Sequence, residues 1–311
     1  MKTVVAVKPF IYPSNSNFKL AVYNAWMQSG GRGLDGRWYE KYYQSFSFHF
    51  HFPTIYEKKK ESRLCFVEGA SLLFDTFPDY LLYEIIPVIW DCWPRYWESM
   101  KRFFIKHNVR TAFFTSSQTA EKFREFFPDR HIFFLPEAIE TELYIDNKKL
   151  QDRHIDFLQY GRCSTIINVR SLPDTINVVS SRDEKGGIKT RHDLIDALSN
   201  SKLTIALTRQ DNQPEIAEGI DTLTQRYWEC MLSGVILLGR APQELIDIIG
   251  YDPTIAIDLN NINLQIQSIL KDVTSYQELV DKNRETALRL GDWKLRVLDI
   301  KNRLLNLGYS L

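Results

Sequence analysis

Short apolar runs alternate with amphipathic stretches along the whole chain. Residues 3–7 (TVVAV), 63–68 (RLCFVE), 85–90 (IIPVIW), 109–115 (VRTAFFT) and 132–135 (IFFL) are runs of strand length. Between them, residues 95–107 and 119–127 place apolar side chains at helical spacing. Strands and helices taking turns at this interval predict parallel βαβ units. A polar, charged stretch at 138–153 interrupts the rhythm, which then starts again. Strands are predicted at 155–160, 176–180, 203–207, 235–238 and 254–257, helices at 192–198 and 243–249, a polar Gly-Gly loop at 183–189 and a loop at 212–219. The pattern predicts an α/β chain of two domains, residues 1–150 and 151–291. At the end, Asp292 is placed to cap a helix whose Trp293, Val297, Ile300, Leu304 and Leu307 form one apolar stripe. Such a stripe must be buried, and a helix at 292–311 that crosses back to the first domain would bury it.

The densest polar chemistry lies in residues 221–242 (DTLTQRYWECMLSGVILLGRAP). This stretch predicts a turn, a short helix capped by Thr222 or Thr224, a stop at Ser233-Gly234 and a buried strand. On the helix, Leu223, Tyr227, Cys230 and Met231 share one face, and Thr222, Arg226 and Glu229 share another. The second face has two readings. Arg and Glu three apart on a solvated helix form a surface ion pair. Near a helix N-terminus, whose unpaired N–H groups attract phosphate, the same residues match a nucleotide, with donors for the phosphates and a carboxylate for the ribose diol.

Composition narrows the picture. The 311 residues suffice for two α/β domains. A net charge of zero argues against a general nucleic-acid binder. Cys65, Cys92, Cys163 and Cys230 stand far apart with no CxxC spacing, so neither a disulfide framework nor a zinc site is indicated. No apolar run has the length of a signal peptide or a membrane span. The expected location is the cytoplasm, or at most the inner face of a membrane. There, the basic and aromatic segment 95–106 (Arg95, Trp97, Lys101, Arg102, Lys106) offers a peripheral docking surface. A crossover helix packed on the sheet is the other reading of that segment.

Three further features carry candidate chemistry. In residues 46–53 (FSFHFHFP), four Phe occupy one face of a strand pattern and Ser47, His49 and His51 the other. Two His at this spacing can share a metal, although no third ligand lies nearby; a polar strand face near a cleft is the alternative. Residues 29–37 (SGGRGLDGR) match neither the P-loop nor the dinucleotide fingerprint. They read as bare backbone able to approach a phosphate or a sugar, or as a flexible surface loop. Asp91 follows the apolar run 85–90, and ligands of open α/β sheets sit beyond the carboxyl ends of strands. It is placed as a functional acid, or as a helix N-cap.

With these residues in place, the chain resembles the nucleotide-sugar glycosyltransferases of the GT-B fold, in the branch called glycosyltransferase family 4 or group 1. Residues 155–162 (IDFLQYGR) resemble the first strand and Gly-Arg turn of the donor domain. Residues 115–117 (TSS) and 133–144 (FFLPEAIETELY) are similar to the closing segment of the first domain. Residues 197–207 (ALSNSKLTIAL) resemble the segment before the donor loop, and 225–239 (QRYWECMLSGVILLG) the donor helix and strand. The resemblance covers most of residues 85–311. It implies two Rossmann-like domains facing across a cleft, the first on the acceptor side and the second holding the donor. It also implies that Glu229 holds the donor ribose hydroxyls and that Asp221 lies by the donor sugar. The backbone of Thr222, Leu223 and Thr224 would lie near the diphosphate, with Arg162 on a phosphate. Two departures stand out. Asp221 occupies a position where the family usually has Glu, and Ile166 and Ile167 stand in the region of the family's Lys. Arg226, beside Glu229, would supply that missing charge. Asp91 would position or deprotonate the acceptor hydroxyl, with His49 and His51 as acceptor-side competitors.

The implied function is transfer of a sugar from a nucleotide-sugar, such as a UDP- or GDP-sugar, to a glycan or lipid-linked acceptor in bacterial surface polysaccharide biosynthesis. The family is mostly retaining. No Asp-x-Asp occurs in the chain, so a metal-independent reaction with no further cofactor is expected. The alternatives are a non-catalytic sugar- or nucleotide-binding module on the same fold, and a sugar-nucleotide epimerase or hydrolase.

Overall fold

The computed structural model describes residues 2–9, 18–34, 58–145, 148–161, 172–181 and 188–311. They form two compact units, Met1–Pro136 with Trp293–Leu311, and Glu137–Asp292. The first unit holds β1 (Lys2–Val7), α1 (Phe18–Gln28), β2 (Arg32–Leu34), β3 (Glu61–Glu68), β4 (Glu84–Trp90), α2 (Pro94–Lys106), β5 (Thr111–Phe114), α3 (Ser117–Phe126) and β6 (His131–Phe134). The second holds β7 (Ile155–Gln159), β8 (Val178–Ser180), α4 (Arg191–Ser199), β9 (Ser201–Ala206), α5 (Gln225–Ser233), β10 (Ile236–Gly239), α6 (Gln243–Ile249), β11 (Ile255–Ala256), α7 (Ile262–Lys271) and α8 (Gln277–Leu290). The chain then returns to the first unit as α9 (Trp293–Asn306) and β12 (Tyr309–Ser310).

The first sheet has the order β12-β1-β3-β4-β5-β6, with β2 also paired to β1, and every pairing is parallel. β4 is buried along its whole length, as expected for a strand covered on both faces. It contains Pro87, which has no N–H to give. The ladder to β5 starts only at Val88↔Phe113, so the proline stands ahead of it. Phe104, Phe114 and Phe123 from α2, β5 and α3 form an aromatic cluster with ring centroids 4.6–6.2 Å apart. The apolar stripe of α9 is buried at Trp293, Val297, Ile300 and Leu304, and Trp293 meets Trp90 edge-on at 5.8 Å.

The second sheet has the order β11-β10-β9-β7-β8, again all parallel. Its strands alternate between two cores. Phe157, Leu203, Ile205, Ile236 and Leu238 pack with Ile266, Ile269 and Val280 of α7 and α8. Leu158, Ala206 and Leu237 pack with Tyr227, Trp228, Cys230 and Met231 of α5. The first strand of this unit, β7, lies between β8 and β9. Successive connections therefore leave it in opposite directions, and the carboxyl ends of β7 and β9 mark the switch point where ligands of such sheets bind.

Several expectations are corrected. The described part of the Gly-rich stretch 29–37 is a turn and β2, directly after α1, where Ala21, Val22, Ala25 and Trp26 give a buried helical face. Two of its glycines serve close packing. A Cβ on Gly31 would lie 2.2 Å from the Trp26 indole, and one on Gly33 would lie 2.4 Å from the Met27 sulfur. The loop expected at 212–219 instead forms part of two one-turn helices, Arg209–Asn212 and Pro214–Ala217. Asp91 does not cap α2, whose N-cap is Trp93. The polar stretch 138–153 belongs to the second unit, anchored by the buried Ile139, Tyr144 and Leu150. In α2, Met100, Phe103 and Phe104 are buried and Tyr96 and Trp97 pack on the core, so its aromatic side faces the sheet. Among the described residues no helix is long and apolar enough to cross a membrane. The strand pattern at 46–53, with His49 and His51, lies outside the described residues.

One buried cation ties the second unit together. Arg153 is 3% exposed. Its guanidinium donates to Ser201 O and Ser233 O at 2.8 Å each, to Lys148 O at 2.8 and 3.1 Å, and to Leu198 O at 3.5 Å. Burial and the neighbouring Arg284 push its pKa down to about 10. Arg153→Met keeps the bulk and removes every donor. It is expected to destabilise the fold by about 3–5 kcal/mol, seen as a lower urea midpoint, because several buried carbonyls lose their partner. Arg153→Lys is expected to recover only part, since an ammonium cannot fork to all of them.

Candidate functional site

α5 is the helix predicted within residues 221–242, and its ends are completed by residues distant in sequence. The expected side-chain cap does not form. Thr224 stands at the N-cap with extended backbone but makes no side-chain capping bond. Instead, Gln225 N donates to the Glu137 carboxylate at 3.1 Å, and Leu223 N donates to Glu244 Oε2 at 2.8 Å. Thr222 lies ahead of the helix, and its hydroxyl donates to the same Glu244 oxygen at 2.9 Å. At the other end, Gly234 takes the left-handed conformation (φ 62°), as the Ser-Gly stop predicted. Ser233 O receives Arg153, and Leu232 O receives a close bond from Arg284. Carboxylates thus meet the positive end of the helix and guanidiniums its negative end, the arrangement that the macrodipole favours.

This anchoring presents Arg226 and Glu229, both half-buried, on the helix side away from the core. The Tyr160 hydroxyl lies 3.4 Å from Glu229 Oε2 and 3.2 Å from Cys230 Sγ. The Arg226 guanidinium sits 5.1 Å from the centre of the Tyr160 ring. Gly161 follows with φ 69°, and a Cβ there would be 2.1 Å from Arg226 Nη2, so glycine lets the guanidinium lie against the backbone. From α4, Arg191 pairs with Glu140 and adds a second positive charge acting on Glu229. Burial pushes the Glu229 carboxyl above its usual range, while Arg226, Arg191 and the Tyr160 hydroxyl pull it back down. The cluster sits where β7 ends and the switch point begins.

Asp221 belongs to a second constellation in the same unit. Arg240, immediately after β10, binds it in bidentate fashion, with Nη1–Oδ2 at 2.7 Å and Nη2–Oδ1 at 3.1 Å. The same guanidinium reaches Asp211 at 2.9 and 3.0 Å and Thr208 Oγ1 at 3.1 Å. Two carboxylates therefore share one cation. In the first unit, Asp91 is exposed directly after β4, with a left-handed backbone (φ 47°). That region is uncommon for a residue with a side chain and recurs at functional positions. Arg162 lies outside the described residues, as do His49 and His51. Among the described residues, no three His, Cys, Asp or Glu gather as a metal site.

No family model matches the chain, and no curated protein matches it in sequence. Solved structures do match. Sucrose-phosphate synthase from Thermosynechococcus elongatus is 9% identical, with 99% of each chain covered and a TM-score of 0.60. HepE from Anabaena, in complex with UDP-glucose, is 8% identical over 98% of this chain and 100% of its own, with a TM-score of 0.55. The α,α-trehalose-phosphate synthase (UDP-forming) from Burkholderia vietnamiensis is 10% identical over 97% and 96%, with a TM-score of 0.54. The chain has the GT-B fold. At these identities the likeness is one of architecture and assigns no branch among GT-B proteins.

Within that GT-B frame, the structure brings Arg226 and Glu229 together with Tyr160, Glu140 and Arg191, and groups Asp221 with Arg240 and Asp211. Sequence reasoning missed Tyr160, Arg191, Glu137, Glu244 and Arg240. Two of them had a local signal: Tyr160 precedes the Gly-Arg turn, and Arg191 follows Thr190 in a capping box closed by Asp193.

The raised Glu229 pKa has a sign that can be tested. A folded-state pKa above the unfolded one contributes stability that is fully present below the unfolded value and is lost as pH rises through the folded value. Glu229→Gln removes that loss. Its melting temperature is expected to match wild type near pH 4, about the ordinary range for Glu, and to exceed it at pH 7; equal values at both would refute the burial of this charge.

Proposed function

We propose that this protein is a glycosyltransferase that moves a sugar from a nucleotide-sugar donor to a glycan or lipid-linked acceptor. The observation that carries this reading is Glu229, a carboxylate under the charges of Arg226 and Arg191 and beside Tyr160, where β7 ends at the switch point. The GT-B neighbours support it, including HepE, whose structure holds UDP-glucose. Glu229 accepts the ribose hydroxyls of a UDP- or GDP-sugar. Breaking the bond from sugar to diphosphate puts negative charge on the leaving phosphate, which Arg226 and Arg191, with Arg162, are suited to stabilise. Fixed charge at such a position is often the largest catalytic contribution. Leu223 N and Gln225 N already serve Glu244 and Glu137, so phosphate contacts fall mainly to these side chains. The reaction is read as retaining, with no metal and no further cofactor. Asp91 serves the acceptor hydroxyl, an assignment that rests on its place beyond β4. The exposed Arg95, Arg102 and Lys106 of α2 would make the peripheral membrane contact.

A second reading, a non-catalytic sugar- or nucleotide-binding module, draws on the Asp221–Arg240 ion pair. That pair occupies the carboxylate which the first reading puts beside the donor sugar. Release of nucleoside diphosphate in the presence of acceptor separates the two.

Thermal melting with UDP, GDP and ADP tests the donor site directly. One of them, at a hundred times its Kd, is expected to add about 2.7 kcal/mol of stability, and Glu229→Ala is expected to abolish that gain. A wild type indifferent to all three would end the donor-site assignment. For Asp91, the expected outcome of Asp91→Asn is a fall in transfer rate of at least about 100-fold, within the range of general-base contributions, with nucleotide affinity unchanged. A variant that transfers at the wild-type rate removes Asp91 from the reaction.

A further inference from the structure

The strands of the first sheet run parallel, so their amino ends share one edge. Asp91 lies at the other, carboxyl edge, immediately after β4. At the amino edge is a cavity of about 380 Å³, a size that takes a small organic ligand. Lys2 at the start of β1, Lys58 ahead of β3 and Arg110 ahead of β5 bring three cations to its wall, with Glu84 at the start of β4 as the one acid among the described residues that line it. Glu84 is 7% exposed and already engaged. It receives Lys2 Nζ at 3.0 Å, Ser62 Oγ at 2.9 Å and the Tyr309 hydroxyl at 3.1 Å. Lys58 donates to Tyr80 O at 2.7 Å and Tyr83 O at 2.9 Å, which among the described residues leaves one of its three protons. Arg110 is exposed and makes no side-chain hydrogen bond or ion pair among the described residues. His107, its pKa pushed down to about 4 by burial and by Lys106 and Lys58, stays neutral at physiological pH. Three cations against one carboxylate leave a net charge of two, and Leu307 and the Tyr309 ring give the cavity an apolar wall. A phosphomonoester carries about −1.5 to −2 charges at neutral pH.

We propose that this cavity binds a phosphomonoester of sugar-phosphate or mononucleotide size. Charge selects the phosphate, with Arg110 as its guanidinium partner, and the apolar wall takes the organic part. The ligand ties the start of β1 to β12, the strand whose Tyr309 hydroxyl also lies 3.4 Å from Thr111 of β5. The site belongs wholly to the first unit and does not depend on the donor reading.

Titration calorimetry at low ionic strength tests it with three probes: glucose 6-phosphate, AMP and inorganic phosphate. At least one ester is expected to bind wild type saturably and more tightly than inorganic phosphate. Arg110→Gln is expected to weaken that binding roughly tenfold, the loss of one charge-assisted contact, while its melting temperature stays within about 2 °C of wild type, as for a surface change. Glu229→Ala is expected to leave ester binding unchanged. Four results overturn the proposal: no saturable binding of either ester, equal affinity for inorganic phosphate, an unaltered affinity in Arg110→Gln, or loss of binding in Glu229→Ala, which would move the ester to the donor site.

Discussion

The second unit is arranged around a helix that cannot satisfy its own ends. α5 buries Tyr227, Trp228, Cys230, Met231 and Leu232 almost completely, which takes its termini out of water. A buried helix end must find partners for its unpaired N–H and C=O groups. Glu137 and Glu244 supply acceptors at the start, and Arg153 and Arg284 supply donors at the finish. Each comes from a different part of the unit: the entry segment, α6, the stretch before β7, and α8. Satisfying one helix therefore fixes the positions of several elements at once. The candidate site follows from that constraint, because Arg226 and Glu229 can face Tyr160 and Gly161 only if the helix is held in rotation and in depth.

The same constraint explains the balance of charge at the site. Two carboxylates at the helix start take up N–H groups that a phosphate would otherwise meet, so positive charge near Glu229 comes from side chains. Arg226 is on α5 itself. Arg191 arrives from the first turn of α4, whose position is set by the Thr190–Asp193 capping box and by Arg153 on the Leu198 carbonyl at its far end. The polar chemistry and the buried cation are thus parts of one network.

Much of the architecture was legible in the sequence because it depends on local periodicity. Apolar runs such as 85–90 and 155–160 became strands, and the stripe from Trp293 to Leu304 became a buried helix face, since each pattern is complete within a few turns or residues. The Ser233-Gly234 stop was readable for the same reason. Where the reading failed, the deciding contact was non-local or hidden by composition. Glycine content drew attention away from the Ala21, Val22, Ala25 and Trp26 face of α1, and those glycines turned out to make room for Trp26 and Met27. Thr224 looked like a cap, but its hydroxyl makes no capping bond, and the first N–H of the helix, Gln225 N, goes to Glu137, 88 residues away. Glu229 was found because Arg226 stands three positions before it. Arg240 and Glu244 were not, because their partners lie across a strand and a turn.

The first sheet contains one pairing with a consequence for how the chain is made. β1 begins at Lys2, and its parallel neighbour β12 ends at Ser310. Every residue of the second unit lies between these two strands, in the single run Glu137–Asp292. During synthesis the first unit cannot be complete until α9 and β12, which follow the whole of the second unit, have been made. N-terminal domains ordinarily fold first. Here that order cannot run to completion: the half that leaves the ribosome first must wait for α9 and β12, and until then it exposes the surface that Trp293, Val297 and Ile300 will cover.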